Sequence, residues 1–567
     1  MASLTKKIIK GRAYYYLREC QRVNGKPKIT WQKYLGPAEQ LIERLKNPAL
    51  NVPQGVVLRE FGASQACFDI ATRLDVVNVI DRHAPKRRGD GLSVGQYMCL
   101  AALNRGIAPA SKVKMAEWHK ASILSRLVPA TEQQLTSQRF WDNMDHVGEQ
   151  EIQAIERDLS ANAVREFGLD LRCLLFDATN FFTFIDSFND RNEIAQRGKS
   201  KEGRSNLRLV GLALLVTSDG DVPLFHHAYE GNQHDSVTFG AVSDELASRC
   251  RNLAGDVCDI TLVFDKGNNS EDNLAKVEGG PYHFVGSLVP THHSELLEVT
   301  RGQMRRLDTK QLPEVWSYRT EKKVFGVNRT VLVTFNKKLF QAQYKTLIRE
   351  IGKRKRKLEC IARMLDRHVT GAARGKKPTV AGTTKRVEVL LSARHMKDLF
   401  GVRVKARKSG VPSLTWKFRQ KEWQKLKRTL LGKTLLFTDR AEWTDEQIVR
   451  AYRSQSHVEN AFRRMKDPRF LTFRPTFHWT DQKLRVHACY CVIALMILSL
   501  LRRELEKAGI TMSIASMMKS LVDMREVSLL YGTGREAATT TVLSDLDEQQ
   551  TRIARALGLS LSQNTPT

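Results

Sequence analysis

Leu171–Phe184, LRCLLFDATNFFTF, reads as a buried β-strand whose apolar run LLF closes on an acid, Asp177. Moving outward, residues 207–220, LRLVGLALLVTSDG, form a second apolar strand. The turn Ser218-Asp219-Gly220-Asp221 leads into a third, VPLFHHAYEG, at 222–231. Residues 236–250, SVTFGAVSDELASRC, are helical. ITLVFDKG, 260–267, is a short apolar strand that again ends in an acid, Asp265. A helix over SEDNLAKVEG, 270–279, and a strand over YHFVGSLV, 282–289, follow. The order β-β-β-α-β-α-β predicts the α/β class, a mixed sheet with helices packed on it. A carboxylate at a strand's C-terminal end projects into the crevice where ligands of such sheets bind. Asp177 and Asp265 are both expected there.

Residues 290–435 interrupt the alternation. VWSYRTEKKVFGVNRTVLVTFN, 315–336, looks like antiparallel strands, as do SLTWKFRQKEW, 413–423, and KTLLFTD, 433–439. Between them an amphipathic helix carries Leu347, Ile351, Leu358, Ile361 and Leu365 on one stripe. Its opposite face holds the run Lys353-Arg354-Lys355-Arg356-Lys357.

A further helix is expected from Thr444, where Thr444 and Gln447 fit a capping box, to about Asp467-Pro468. Ile448, Tyr452, Gln455, Glu459, Phe462 and Lys466 recur at spacings of three and four and so share one face. Glu459 is the acid on that stripe. After Gln482 the chain reads as helical and apolar, and its last 30 or so residues as polar and loose.

Upstream, KKIIKGRAYYYLREC, the turn Asn24-Gly25-Lys26-Pro27 and KITWQKYLG suggest a small β unit. Residues 57–165 alternate helical patterns with basic breaks; they read either as a packed helical bundle or as a DNA-end-binding region. The expected division is 1–56, 57–165, 166–290, 291–435, 436–480 and 481–567.

Lys plus Arg number 91 and Asp plus Glu 61, so the 567-residue chain carries 91 − 61 = +30. Such an excess points to a polyanion, nucleic acid first and an anionic membrane surface second. The longest apolar run, Cys489–Leu501, is shorter than the roughly 18 residues of a spanning helix and reads as buried. The N-terminus shows no signal-peptide pattern. Nine cysteines without a CxxC pair fit reduced thiols in a cytoplasmic protein.

Three oxygen-donor acids, Asp177, Asp265 and Glu459, suit Mg²⁺ or Mn²⁺, and two such ions can clamp the attacking and leaving oxygens of a phosphodiester. Lys466, two turns beyond Glu459, would contact a phosphate. His487, Cys489 and Cys491 lack a second ligand pair at zinc spacing and read as core. Asp235, just before a helical pattern, reads as an N-cap. The basic run 353–357 reads as a DNA-backbone track.

At these residues the chain resembles the DDE transposases of bacterial insertion sequences, in the insertion-sequence-four group, whose last acid lies on a Y-x2-R-x3-E-x6-K helix. Tyr452, Glu459 and Lys466 match that helix, with Gln455 in the arginine position. FDATNFF, the stretch 199–236 with its GN-x-x-D ending, DKGNNS, and RPTFHWTDQKLRVHACYCVIALM match as well, and the gap of 459 − 265 = 194 residues fits. The resemblance implies an RNase H-like core interrupted by a β-rich insertion domain at 291–435. It also implies cut-and-paste chemistry on terminal inverted repeats and target DNA, often through a hairpin, by a homodimer in a bacterial cytoplasm. Gln455 leaves one phosphate contact for Arg453, Arg463 or Arg464 to supply. Trp316 and Trp416 would lie in the insertion domain, where either could stack on a flipped base or sit in a core. The rival readings are another RNase H-like nuclease or integrase and a non-catalytic DNA-binding descendant.

Overall fold

The computed structural model describes residues 2–23, 26–39, 41–42, 53–86, 91–198, 206–254, 259–280, 282–307, 310–469, 471–474, 476–531 and 538–560. The turn residues Asn24 and Gly25 and the segment 87–90 with Arg87 and Arg88 lie outside this set, as do residues 199–205 at the start of the motif stretch 199–236.

At the N-terminus β1 (Ala2–Ile9), β2 (Arg12–Val23) and β3 (Lys26–Pro37) form an antiparallel three-stranded sheet. β4 (Gly55–Glu60) leads into helices that run from Gly62 to Phe167. The apolar faces of those helices merge into one core with the long helix Asp481–Lys507 and the main sheet. Among the described residues Asp481–Lys507 is the one helix long and apolar enough to cross a membrane, yet 94% of its most apolar stretch is buried inside the protein.

Every strand and helix expected between 171 and 289 is present. β5 (Cys173–Phe182), β6 (Gln196–Arg197), β7 (Arg208–Thr217), β8 (Pro223–Glu230), β9 (Ile260–Phe264) and β10 (Tyr282–Ser287) are separated by the helices Asp235–Ala254 and Glu271–Glu278. β5, β9 and β10 run parallel; β7 pairs antiparallel with β5 on one edge and with β8 on the other. The all-apolar β9 suits a strand covered on both faces.

Residues 291–435 do not form a β-rich unit of their own. β11 (Arg305–Leu307), β12 (Val315–Val324), β13 (Val327–Asn336) and, further on, β16 (Lys433–Thr438) extend the main sheet in the order β11-β12-β13-β16-β10. The inserted piece with its own core is shorter, about 337–431, and mainly helical. It contains the 33-residue helix Lys337–Val369 and one hairpin, β14 (Phe400–Ala406) with β15 (Pro412–Phe418). QKEW, expected as strand, belongs to the helix Gln420–Thr429, whose Trp423 is buried in that second core.

The C-terminal region is likewise not wholly helical. β17 (Arg525–Tyr531) and β18 (Ala538–Leu543) pair with each other, and β17 pairs with β4, so the two ends of the chain meet in one sheet.

Candidate active site

Asp177 lies in the middle of β5, not at its end. The strand continues to Phe182 because its ladder with β7 continues, Asp177 opposite Leu214 and Phe182 opposite Leu209. The parallel ladder to β9 stops earlier, at Leu175 opposite Val263, so Asp177 stands just where β5 outruns its neighbour. Asp265 is the first residue after β9. The register that aligns Cys173 with Thr261 aligns Asp177 with Asp265, four residues on in each strand. Neighbouring strands are about 4.8 Å apart, so the two acids emerge side by side.

Three neighbours hold the half-buried Asp265. Ser287, the last residue of β10, donates to its Oδ1 at 2.7 Å. The Tyr452 hydroxyl donates to the same oxygen at 3.3 Å, and Lys266 Nζ stands 3.6 Å from Oδ2. Burial alone would raise this carboxyl's pKa, but the Ser287 hydroxyl and the Lys266 charge outweigh it and hold the group ionised below the usual carboxylate range. Burial, then the charges of Asp265 and Glu459, push the Tyr452 phenol above its ordinary value, so it remains a donor. A cleft of about 630 Å³ opens beside Asp265, bounded by Lys266, Ser287, Tyr452, Gln343, Arg394 and Lys433.

The helix expected from 444 to 467 is broken in two. Asp445–Arg453, capped as expected by Thr444, is followed by a tight turn and then by Ser456–Met465. At the turn the backbone switches to i→i−3 bonds, Gln455 N to Tyr452 O at 3.1 Å and His457 N to Ser454 O at 2.8 Å. The tightening turns Gln455 inward. Its side chain is buried, and Nε2 donates to the Phe176 carbonyl at 2.9 Å, stitching the turn to β5 beside Asp177. So placed, Gln455 has no access to a DNA backbone. Glu459 follows on the exposed side of the second helix. Lys466, at its C-terminus, donates from Nζ to the Thr179 hydroxyl at 2.9 Å. Residues 177 and 179 share one face of β5, so Lys466 crosses the face that carries Asp177. Arg463 is exposed.

A buried hub fixes this helix from behind. Asp221, 1% exposed, accepts from the His457 ring, from Arg464 at 2.7 Å and from Arg502 at 3.2 Å. Arg464 is thereby committed to an internal ion pair. No pattern in the sequence pointed to this hub or to Ser287. Asp235 opens the helix Asp235–Ala254, and a methyl group added at Gly267 would lie 3.3 Å from its Oδ2, so it borders the loop that follows Asp265.

The remaining expected DNA contacts are scattered. In the run 353–357, Lys353, Arg356 and Lys357 are exposed. Arg354 is buried against Glu350, and Lys355 lies 4.5 Å from the Phe418 ring. Trp316 belongs to β12 of the main sheet, packed on Phe335 and covered by the Arg301 guanidinium at 4.0 Å. Trp416 packs against Phe400 beside the second core. His487 bonds Tyr490 and the Phe473 carbonyl inside the core.

Residues 170–497 match the family described as the transposase DDE domain. The chain belongs to that family. DNA transposition is the activity this membership supports, and the two aspartates and the helix of Glu459 all fall inside the matched segment of this DDE-family transposase. Among solved structures it is similar to a piggyBac transposase synaptic complex with hairpin DNA, determined by cryo-EM. That similarity has a TM-score of 0.35 and 10% identity, and covers 80% of this chain and 78% of that one. No curated protein matches the chain.

Divalent-metal chemistry is general to the family. Among the described residues no three His, Cys, Asp or Glu side chains stand close enough together to hold an ion as placed. The donors nonetheless fit one in kind. Asp177 and Asp265 are hard oxygen donors just beyond the β5–β9 ladder, Asp265 is held ionised, and Glu459 lies exposed on the helix that Gln455 and Lys466 tie to β5.

Proposed function

We propose that the chain cleaves DNA at the ends of an insertion sequence and joins the freed 3′ ends to target DNA, with Asp177, Asp265 and Glu459 as ligands for Mg²⁺ or Mn²⁺. The observation that carries this reading is the parallel ladder of β5 with β9, which ends two residues short of both Asp177 and Asp265, under a helix that carries Glu459 and leads into Lys466. The order β8-β7-β5-β9-β10, antiparallel for the first three strands and parallel thereafter, supports the RNase H-like core that the resemblance implies.

When bound, the ions would activate the nucleophile and stabilise charge on the phosphodiester. The protein's own residues do the rest. Ser287 and Tyr452 orient Asp265, Gln455 anchors the turn ahead of Glu459, and Lys466 and Arg463 offer charge to the phosphates flanking the cut. A cut-and-paste route through a hairpin, and two copies of the chain pairing two ends, accord with this reading. The test is nicking of end DNA in Mg²⁺ by purified Asp177→Ala, Asp265→Ala and Glu459→Ala variants. Each should bind DNA yet leave it uncut, whereas Asp235→Ala retains activity. Near-wild-type cleavage by Glu459→Ala would remove that residue from the site.

A further inference from the structure

Among the described side chains of residues 2–37, none enters either hydrophobic core. A three-stranded sheet that lends no described side chain to a core is marginal in water by itself, so this one is suited to meet a partner. Its charge says which kind. Lys6, Lys7, Lys10, Arg12, Lys28 and Lys33 are exposed on it, and Glu19 is the only acid between Met1 and Pro37 in the sequence.

The strand register sorts the side chains onto two faces, because residues directly opposite each other point the same way. Lys7 pairs with Tyr14, Thr5 with Tyr16, Tyr16 with Tyr34, and Arg18 with Gln32. These residues make one face. Tyr34 lies between the other two rings, 6.1 Å from Tyr14 and 5.2 Å from Tyr16. Arg18 is held over the Tyr16 ring at 5.5 Å and donates to Gln32 at 2.7 Å. The opposite face carries Leu4, Ile8 and Leu17 with Lys6 and Lys33.

We propose that the Tyr14–Tyr16–Tyr34 face grips double-stranded DNA, Lys7 and Arg18 supplying the charge and the rings supplying rigid polar contacts. This rests on the reading of the chain as an enzyme that acts on DNA. The outer strands stand about 10 Å apart, two strand spacings, which suits a major groove about 12 Å wide. Irregularities in the β2–β3 ladder at Tyr15/Tyr16 and Glu19/Cys20 add twist, so the sheet is curved as a grooved partner requires.

The experiment measures binding of a fluorescein-labelled DNA duplex to the full chain across a salt series. The variants are Lys7→Gln with Arg18→Gln, Tyr16→Ala with Tyr34→Ala, and the charge-matched control Lys6→Gln with Lys33→Gln on the opposite face. The first pair should weaken binding about tenfold or more and lower the salt slope by about two. The tyrosine pair should weaken binding with the slope unchanged, and the control should cost much less than either. Equal losses from the two charge pairs would reduce the face to diffuse attraction and overturn the proposal. So would unchanged binding in all variants, or a sheet whose variants only turn a dimer into a monomer. If the wild-type chain binds no duplex and cuts none in Mg²⁺, the transposase reading itself fails. If it binds and cuts while the face variants match it, this proposal alone fails.

Discussion

Tyr452 and Asp265 are joined across 187 residues of sequence by one hydrogen bond, the phenol donating to Oδ1 at 3.3 Å. The bond ties the first half of the broken helix to the end of β9. Partners that orient a metal ligand typically contribute 10- to 100-fold in affinity or activity. Tyr452→Phe keeps the ring in its packing, so the fold should survive. The Mg²⁺ concentration for half-maximal nicking should rise about tenfold. A metal titration of the variant identical to that of the wild type would make Tyr452 a packing residue.

Lys466 bonds Thr179, so its removal has two possible readings, and a pair of variants separates them. Lys466→Ala should lower the cleavage rate about 100-fold if the ammonium is spent on a phosphate in the complex. Thr179→Val removes the same internal bond but leaves the charge, and should cleave at close to the wild-type rate. Should both variants lose activity equally, the lysine acts by bracing β5 and not by touching DNA.

The hub at Asp221 gives a pH signature. Burial works against its ionised form, but the His457 ring, Arg464 and Arg502 prevail and hold its pKa below the ordinary carboxylate value. A folded-state pKa below the unfolded one, about 3.9, stabilises the fold above that pH and is lost as pH falls through the folded value. Asp221→Asn leaves the largely buried Arg464 and Arg502 without their charge partner and should cost about 3 kcal/mol at pH 7. The gap in Tm between variant and wild type should close below about pH 4 as the wild type loses the same charge. A gap that stays constant down to acid pH would mean that the hub stabilises through shape alone.

Gly231, in the GN-x-x-D motif, is a steric requirement. A Cβ there would stand 2.0 Å from the Leu209 carbonyl oxygen, a backbone atom that cannot swing away. Gly231→Ala should destabilise by more than about 2 kcal/mol, measured as a lowered denaturant midpoint with an unchanged slope.

The part of this fold legible in the sequence is the part decided locally. LRCLLFDATNFFTF and ITLVFDKG carry their strand character in their own composition, and the order of elements between them sets a mixed sheet. What was missed depends on distant partners. β16 joins β10 only because residues 433–438 return across the insertion, and nothing in KTLLFTD specifies which sheet it completes. The helix break at Ser454–Gln455 contains neither Gly nor Pro, and arises where Gln455 finds the Phe176 carbonyl 279 residues away. Asp221 looked like an ordinary turn residue, and its positive φ of 59° fits a turn. Its three partners, His457, Arg464 and Arg502, lie 236 residues or more downstream.

The pairing of β4 with β17 sets an order of events during synthesis. Gly55–Glu60 leaves the ribosome long before its partner strand, Arg525–Tyr531. The helices between Gly62 and Phe167 also wait for Asp481–Lys507 before their apolar faces are covered. Contacts of such long sequence separation form slowly and leave apolar surface uncovered meanwhile. A chain that stops short of residue 525 cannot close this sheet, so a truncated product leaves the β4 edge unpaired, open to pairing with another chain.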